Sequence, residues 1–205
     1  MPVIAFRTST IIKEIIRSAD QEGKITLGEF MALLGDRAFC LAILVFSLPN
    51  SLPVPGIPGF STITGLPITF IALQMVMGKT TIWLPRRLAN KAFSRQGVAN
   101  MLAKALPSLT WIEKCLRPRW LPVTSPWGEK VLGLLMIALS LIIALPIPGG
   151  NFLPGFSMSL LALGMLEKDG LFVVASGSFA VSSILFMFKI ITLFFAAAVH
   201  AILPT

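Results

Sequence analysis

Charged residues are scarce in this chain. They make up 13% of its 205 residues, against 55% hydrophobic ones, and the mean hydropathy is +0.85. Average globular domains carry about a quarter charged residues, so a water-soluble core of this size would leave too much apolar surface uncovered. The solvent that suits this composition is the bilayer. Cysteine is also rare: Cys40 and Cys115 form no metal-ligand or redox spacing, and Cys40 sits in an apolar run where packing is its expected role. The single imidazole is His200. The few acids fall in loops or helix ends rather than as a facing pair. No phosphate-binding glycine loop, metal-ligand cluster or nucleophile elbow occurs. These absences argue against catalysis, intramembrane hydrolysis included, and call for no cofactor and no metal. Charges interrupt Met1 to Arg37 throughout, which excludes a signal peptide there. Insertion is expected to use internal segments, as in a multi-pass protein of the bacterial inner membrane.

The charge that is present is uneven. The net charge is +8, and of seventeen Lys and Arg, nine lie between Lys79 and Arg119, where Glu113 is the sole acid. Basic blocks can mark nucleic-acid surfaces. Beside apolar spans they mark the cytoplasmic side and attract anionic headgroups, so lipid is expected as a partner and nucleic acid is not. Arg86, Arg87 and Arg95 are the candidates to face lipid or a protein partner.

Five regions follow from the patterning. Residues 1–34 hold an amphipathic helix, Thr8 to Ala19, with Ile11, Ile12, Ile15 and Ile16 on one face and Lys13, Glu14 and Arg17 opposite. Gly23 breaks it, and Thr26 with Glu29 has the capping-box spacing for a second helix that Gly35 ends. Residues 35–78 form a first membrane unit, with apolar arms Ala38–Leu48 and Phe60–Met77 flanking a run rich in proline and glycine from Pro49 to Gly59. Each arm is slightly short of the ~20 residues a span needs. The unit is thus a full hairpin or a re-entrant one. Residues 79–127 are the basic region, with an amphipathic surface helix over Val98–Ile112 interrupted by Pro107, and Trp83, Trp111, Trp120 and Trp127 suited to the headgroup layer. Residues 128–170 form a second unit around a break from Pro146 to Gly155. Residues 171–205 carry a last apolar segment with no turn signal between Gly177 and Pro204; as one helix it would be ~50 Å long and must tilt or protrude.

The two units match in order. Gly35-Asp36-Arg37 parallels Gly128-Glu129-Lys130; Leu52-Pro53-Val54-Pro55-Gly56 parallels Leu145-Pro146-Ile147-Pro148-Gly149; Pro58-Gly59-Phe60-Ser61 parallels Pro154-Gly155-Phe156-Ser157; and Ile71-Ala72-Leu73-Gln74-Met75 parallels Leu161-Ala162-Leu163-Gly164-Met165. The repeat is parallel if both arms of each unit return to one side, inverted otherwise. Backbone groups freed at a break cannot face lipid; they are buried in protein or line a wet cavity. Paired breaks in two halves are the sequence pointer to a transport site, although Pro and Gly also serve as plain turn residues. Asn50 and Asn151 are the polar side chains of the breaks, with Ser47, Ser51, Ser61, Thr62, Thr64 and Ser157 nearby as further hydroxyls. On the last segment Ser178, Ser182, Lys189, Thr192 and His200 share a stripe about 80° wide. Such a stripe is expected to face protein or a cavity. Lys189 is either an ion-linked group or a lysine snorkelling to the far headgroups. Gly133, Gly164 and Ala196 would permit the close packing of a homodimer.

The run from Gly35-Asp36-Arg37 through Leu52-Pro53-Val54-Pro55-Gly56, Gly65-Leu66-Pro67, Ala72-Leu73-Gln74 and Trp83-Leu84-Pro85, continuing to Leu145-Pro146 and Lys168-Asp169-Gly170-Leu171, resembles the ExoD family of bacterial membrane proteins. The resemblance implies an inner-membrane location and a link to exopolysaccharide synthesis, and brings no catalytic residue set. The expected architecture is an all-α polytopic membrane protein with two sequence-repeated, Pro/Gly-broken helical hairpins plus a long C-terminal transmembrane helix. The expected function is a small transporter or ion-flux protein for an unknown solute or ion. Its site would comprise Asn50, Ser51, Pro53, Pro55, Gly56, Ser61, Pro146, Pro148, Gly149, Asn151, Ser157 and Lys189; the alternative is a non-transporting scaffold of a polysaccharide-assembly complex.

Overall fold

The computed structural model describes residues 8–18, 23–52, 60–145 and 151–202. The helices are α1 (Thr8–Ser18), α2 (Leu27–Leu34), α3 (Arg37–Ser47), α4 (Phe60–Val76), α5 (Arg86–Ala89), α6 (Arg95–Cys115), α7 (Pro126–Ala144), α8 (Phe152–Leu166) and α9 (Gly170–Ile202). Two of them, α7 and α9, are long and apolar enough to cross a bilayer. The pair α2–α3, continued to Ser51, adds a third only as one span bent by 115°. Helices α4 and α8 are apolar but shorter. The fold is all-α in class and consistent with a membrane protein.

Four helices form the centre. Thr62 donates to the Ala144 carbonyl at 2.8 Å, and the Thr69 and Ser140 hydroxyls meet at 2.8 Å. A Cβ on Gly133 would touch Val76 and Ala72. Helices α4 and α7 therefore run antiparallel in continuous contact. Helix α3 and its 3-10 extension (Leu48–Ser51) lie antiparallel on α8: Arg37 is within electrostatic reach of Glu167, while Asn50 abuts Gly155. Each arm thus packs against the other unit at least as extensively as against its own partner. Ile43, Ile68, Met136, Leu139, Ile143, Met158 and Leu161 fill the core between them. The starts of α3 and α7 and the ends of α4 and α8 gather at one end. Here Asp36 and Glu129 are close enough to repel, and Gly78 lies beside Lys130. Helix α9 closes the group, packing on α8 and α7 and burying Val173 and Ala180 in the core.

A second layer covers the charged end. Helix α1 buries Ile12 and Ile15 and packs on α6. Its first turn carries backbone donors with no helical partner; the Ser9 N–H and hydroxyl both donate to Glu113 at 2.6 Å, and the Thr8 hydroxyl donates to Glu167 at 2.8 Å. Thr26 and Glu29 form the anticipated capping box of α2, and Gly35 ends that helix at φ +56°, a conformation glycine adopts freely.

Several expectations need correcting. Pro107 does not interrupt its helix: α6 is continuous from Arg95 to Cys115. Pro107 is on the solvent side, where the carbonyl left without an N–H partner can be hydrated. Within the basic region a short strand not anticipated from the sequence, β2 (Ala92–Ser94), pairs antiparallel with β1 (Lys24–Thr26), three residues each. The breaks are also narrower than the sequence suggests. Pro49, Asn50 and Ser51 continue α3 as a 3-10 turn, and Pro154 and Gly155 belong to the first turn of α8, where a missing N–H costs nothing. Gly133 and Gly164 are occupied inside the protomer, against α4 and against Val173 and Phe172 respectively, so they are not free for a dimer contact. The polar stripe of α9 faces outward: Ser178, Ser182, Lys189 and Thr192 are exposed. The three hydroxyls among them bond only carbonyls of their own helix. His200 lies within α9, and its side chain is outside the described residues.

Candidate functional site

At the uncharged end of the four-helix centre, polar side chains from both units form a seam. Asn50, 6% exposed, donates its side-chain amide to the Thr64 hydroxyl at 2.9 Å and to the Phe46 carbonyl at 3.0 Å. The hydroxyls of Ser47 and Ser51 each lie 2.8 Å from that of Ser159 on α8. Asn151, which precedes α8, donates to the Ser61 hydroxyl on α4 at 2.7 Å. The Thr62–Ala144 and Thr69–Ser140 contacts continue the line along α4 and α7. Every side chain named in this seam is an uncharged hydroxyl or amide. At ~1.5 Å per residue, Ser47 lies ~15 Å along α3, so the seam sits deep relative to the charged end.

The local sequence explains the close approach. Gly155 and Ser159 are four apart on α8, and Ser47 and Ser51 are four apart on the facing element. Small residues at this spacing line one helix face and bring backbones together. A Cβ on Gly155 would lie 2.7 Å from the backbone carbon of Asn50, and one on Gly65 would lie 2.9 Å from the backbone nitrogen of Ala144. One acceptor in the seam is unmet: Oδ1 of Asn151 is buried and accepts no hydrogen bond among the described residues.

Of the residues the sequence singled out, the structure brings together Asn50, Ser51, Ser61 and Asn151. Pro53, Pro55, Gly56, Pro146, Pro148 and Gly149 lie outside the described residues. Ser157 is buried but bonds only Leu153 of its own helix, and Lys189 is on the outer face of α9, away from the seam. Ser159 and Gly155 are the residues that sequence reasoning missed as site elements. Their four-residue spacing, facing the same spacing at Ser47 and Ser51, is the signal that finds them.

The charged end has its own fixed geometry. Asp169 is fully buried and accepts from Arg119 Nε at 3.0 Å, from the Arg117 N–H and from the Phe172 N–H, capping α9. Trp120 and Lys168 adopt positive φ on either side of this latch, and Gly170 presses against the Trp120 carbonyl so closely that no Cβ fits. Gln74 fixes the exit of α4, its side chain accepting from the Trp83 N–H at 2.6 Å and donating to the Trp83 carbonyl at 3.3 Å. Arg86 and Arg87 stand exposed on α5, and Arg95, partly covered, begins α6 beside Gly23. No group of His, Cys, Asp and Glu fit to hold a metal ion occurs among the described residues.

A family model described as "Exopolysaccharide synthesis, ExoD" matches residues 8–189. Protein ExoD of Rhizobium meliloti (strain 1021) is 31% identical over 163 residues, covering 78% of this chain and 67% of its own. The uncharacterized protein slr1875 of Synechocystis sp. is 28% identical over 197 residues, covering 96% of this chain and 92% of its own. No solved structure matches. The family match begins at the first residue of α1 and ends at Lys189 on α9, so it takes in the pinned N-terminal helix, both halves of the seam and the latched basic region; the chain belongs to the ExoD family, whose description ties it to exopolysaccharide synthesis.

Proposed function

We propose that this chain is a multi-pass protein of the bacterial inner membrane that passes a small solute or ion at the polar seam, in support of exopolysaccharide synthesis. The observation that carries the reading is the seam itself, in which uncharged hydroxyls and amides from the two units meet: Asn151 on Ser61, and Ser47 and Ser51 on Ser159, beside a buried Asn50. Polar side chains at membrane depth face protein or a wet cavity rather than lipid, and a passing solute, ion or water is the partner this seam would suit. The antiparallel pairing of each arm with the other unit supports two repeats entering from the same side, the parallel arrangement, with the breaks together at the opposite side. Basic flanks then favour the cytoplasmic side for the charged end. Among the described residues the seam hydroxyls meet one another, amides and backbone carbonyls rather than a carboxylate or imidazole base, which favours passage over catalysis.

Purified protein in sealed proteoliposomes tests this. Internal pH and membrane potential are followed while Na⁺, K⁺ and pH gradients are imposed. Protein-dependent flux is expected, and Asn50→Ala or Asn151→Ala should lower it at least about tenfold, the loss expected when binding loses ~1.4 kcal/mol or more, with the protein still inserted. Absence of flux under every gradient removes ion passage and leaves lipid-linked or glycan substrates, or the scaffold role.

A further inference from the structure

We propose that residues 79–127 form a platform that recruits anionic phospholipid headgroups to the charged end of the protein. The region carries nine Lys and Arg and one acid. That acid, Glu113, is 3% exposed and turned inward onto Ser9 of α1. Its removal from the surface leaves the outer face of the region with cations and no carboxylate. Eight of the nine cations are exposed, Arg95 being the partly covered one.

Apolar groups are interleaved with these charges. On α6 the face away from α1 presents Met101, Lys104, Trp111 and Lys114, all exposed, so an apolar and basic surface covers one side of the helix while Leu109 and Glu113 are buried on the other. All four tryptophans of the chain, Trp83, Trp111, Trp120 and Trp127, lie in this region and are 59–79% exposed. An indole exposed beside lysine and arginine is the pattern of an interfacial element, with its ring at headgroup level and cations toward phosphate. The region joins apolar helices at both ends. It leaves α4 at Val76 and enters α7 at Pro126, whose adjoining ends lie together, and the Gln74 clamp and the Asp169–Arg119 latch hold it there. A basic surface held at the edge of a bilayer meets headgroups before any soluble partner, and anionic lipids are the complement of its charge. The inference does not depend on solute passage.

Because the region holds all the tryptophans, intrinsic fluorescence reports on it alone. The protein is placed in nanodiscs of phosphatidylcholine with roughly one phosphatidylglycerol in five, a moderately anionic surface. In one sample the phosphatidylglycerol is brominated near the top of its acyl chains; in the other an equal mole fraction of phosphatidylcholine is brominated instead. Brominated phosphatidylglycerol is expected to quench about twofold more strongly, with the excess shrinking in roughly 1 M salt, where the Debye length is ~3 Å. Arg86→Gln, Arg87→Gln, Lys104→Gln and Lys114→Gln together should abolish the excess. The charge-conserving set Arg86→Lys, Arg87→Lys, Lys104→Arg and Lys114→Arg should retain it. Equal quenching by the two lipids, no quenching by either (the result for a surface that docks an acidic protein away from the bilayer), or an excess that survives the four glutamines overturns the proposal.

Discussion

Gly155→Leu should unseat α8 and lower the thermal stability of the detergent-purified protein by about 6–12 °C. The first atom added at this position would lie 2.7 Å from the backbone carbon and Cβ of Asn50 and 2.8 Å from its carbonyl oxygen. The obstacle is mainly backbone, which cannot rotate aside, so α8 must back away from the Leu48–Ser51 turn. That movement also parts Ser159 from Ser47 and Ser51. Overpacking costs typically ~1–3 kcal/mol, and each lost hydrogen bond ~1 kcal/mol. A total near the upper end, about 3 kcal/mol, corresponds to the quoted shift for a chain of this size at ~2–4 °C per kcal/mol. Gly97→Ala is the control. A Cβ there meets only Ser94 at 3.7 Å, ordinary contact, and the melt should stay level or rise slightly because alanine is the better helix former. Equal melts for Gly155→Leu and wild type would mean that α8 is not seated on this turn.

Asp169→Ala should be the second most damaging change, about 2 kcal/mol at neutral pH. The carboxylate is fully buried and serves three donors at once: Arg119, the Arg117 N–H and the Phe172 N–H. Its loss uncaps α9 and leaves those donors without their acceptor. The Arg119 side chain is half exposed and can turn to water, which keeps the cost below that of a fully buried ion pair. The effect has a definite pH dependence. Burial alone would raise the Asp169 pKa, but the Arg119 guanidinium and the two backbone N–H groups outweigh it and hold the carboxyl below its ordinary value. A depressed folded-state pKa contributes stability that is fully present above the unfolded pKa and is lost as pH falls through the folded one. The gap between wild type and Asp169→Asn should therefore be constant near neutrality and close only in acid, below the usual carboxylate range. Chemical-denaturant melts across pH measure it; a gap that is already closed at neutral pH would contradict this role.

The local signals in the chain were legible. The isoleucine stripe of α1, the Thr26–Glu29 box and the long run of α9 are patterns of period 3.6 or fixed spacing, and each formed where it was expected. Partner choice was not legible, because nothing local states which helix a face will meet. Thr8 and Ser9 find Glu167 and Glu113, 159 and 104 positions away, and the same helical period would have suited a helix lying free on the membrane. Pro107 and Pro154 misled for a different reason: proline breaks an interior turn but is tolerated in a first turn and on a face open to water. On α9 the polar stripe was expected to turn inward, yet the face that packs on α8 and α7 is the one carrying Val173 and Ala180. In the seam the sequence marked Asn50 and Asn151 by their polarity among apolar neighbours; it concealed Ser159, whose significance depends on the serines across from it.

The central claim is that the seam is a wet site rather than a dry contact between helices. It is tested most directly by thiol accessibility in sealed vesicles. With Cys115 replaced by serine, the remaining native thiol, Cys40, is buried, and single changes Ser51→Cys, Ser61→Cys and Leu134→Cys are exposed to a small, charged methanethiosulfonate reagent. Leu134 is on the outer, apolar face of α7. A wet seam predicts that Ser51→Cys and Ser61→Cys are modified while Leu134→Cys is not. If neither seam thiol reacts under conditions that modify Cys115 in the otherwise unchanged protein, the seam is dry packing between helices and the account of passage through it is wrong.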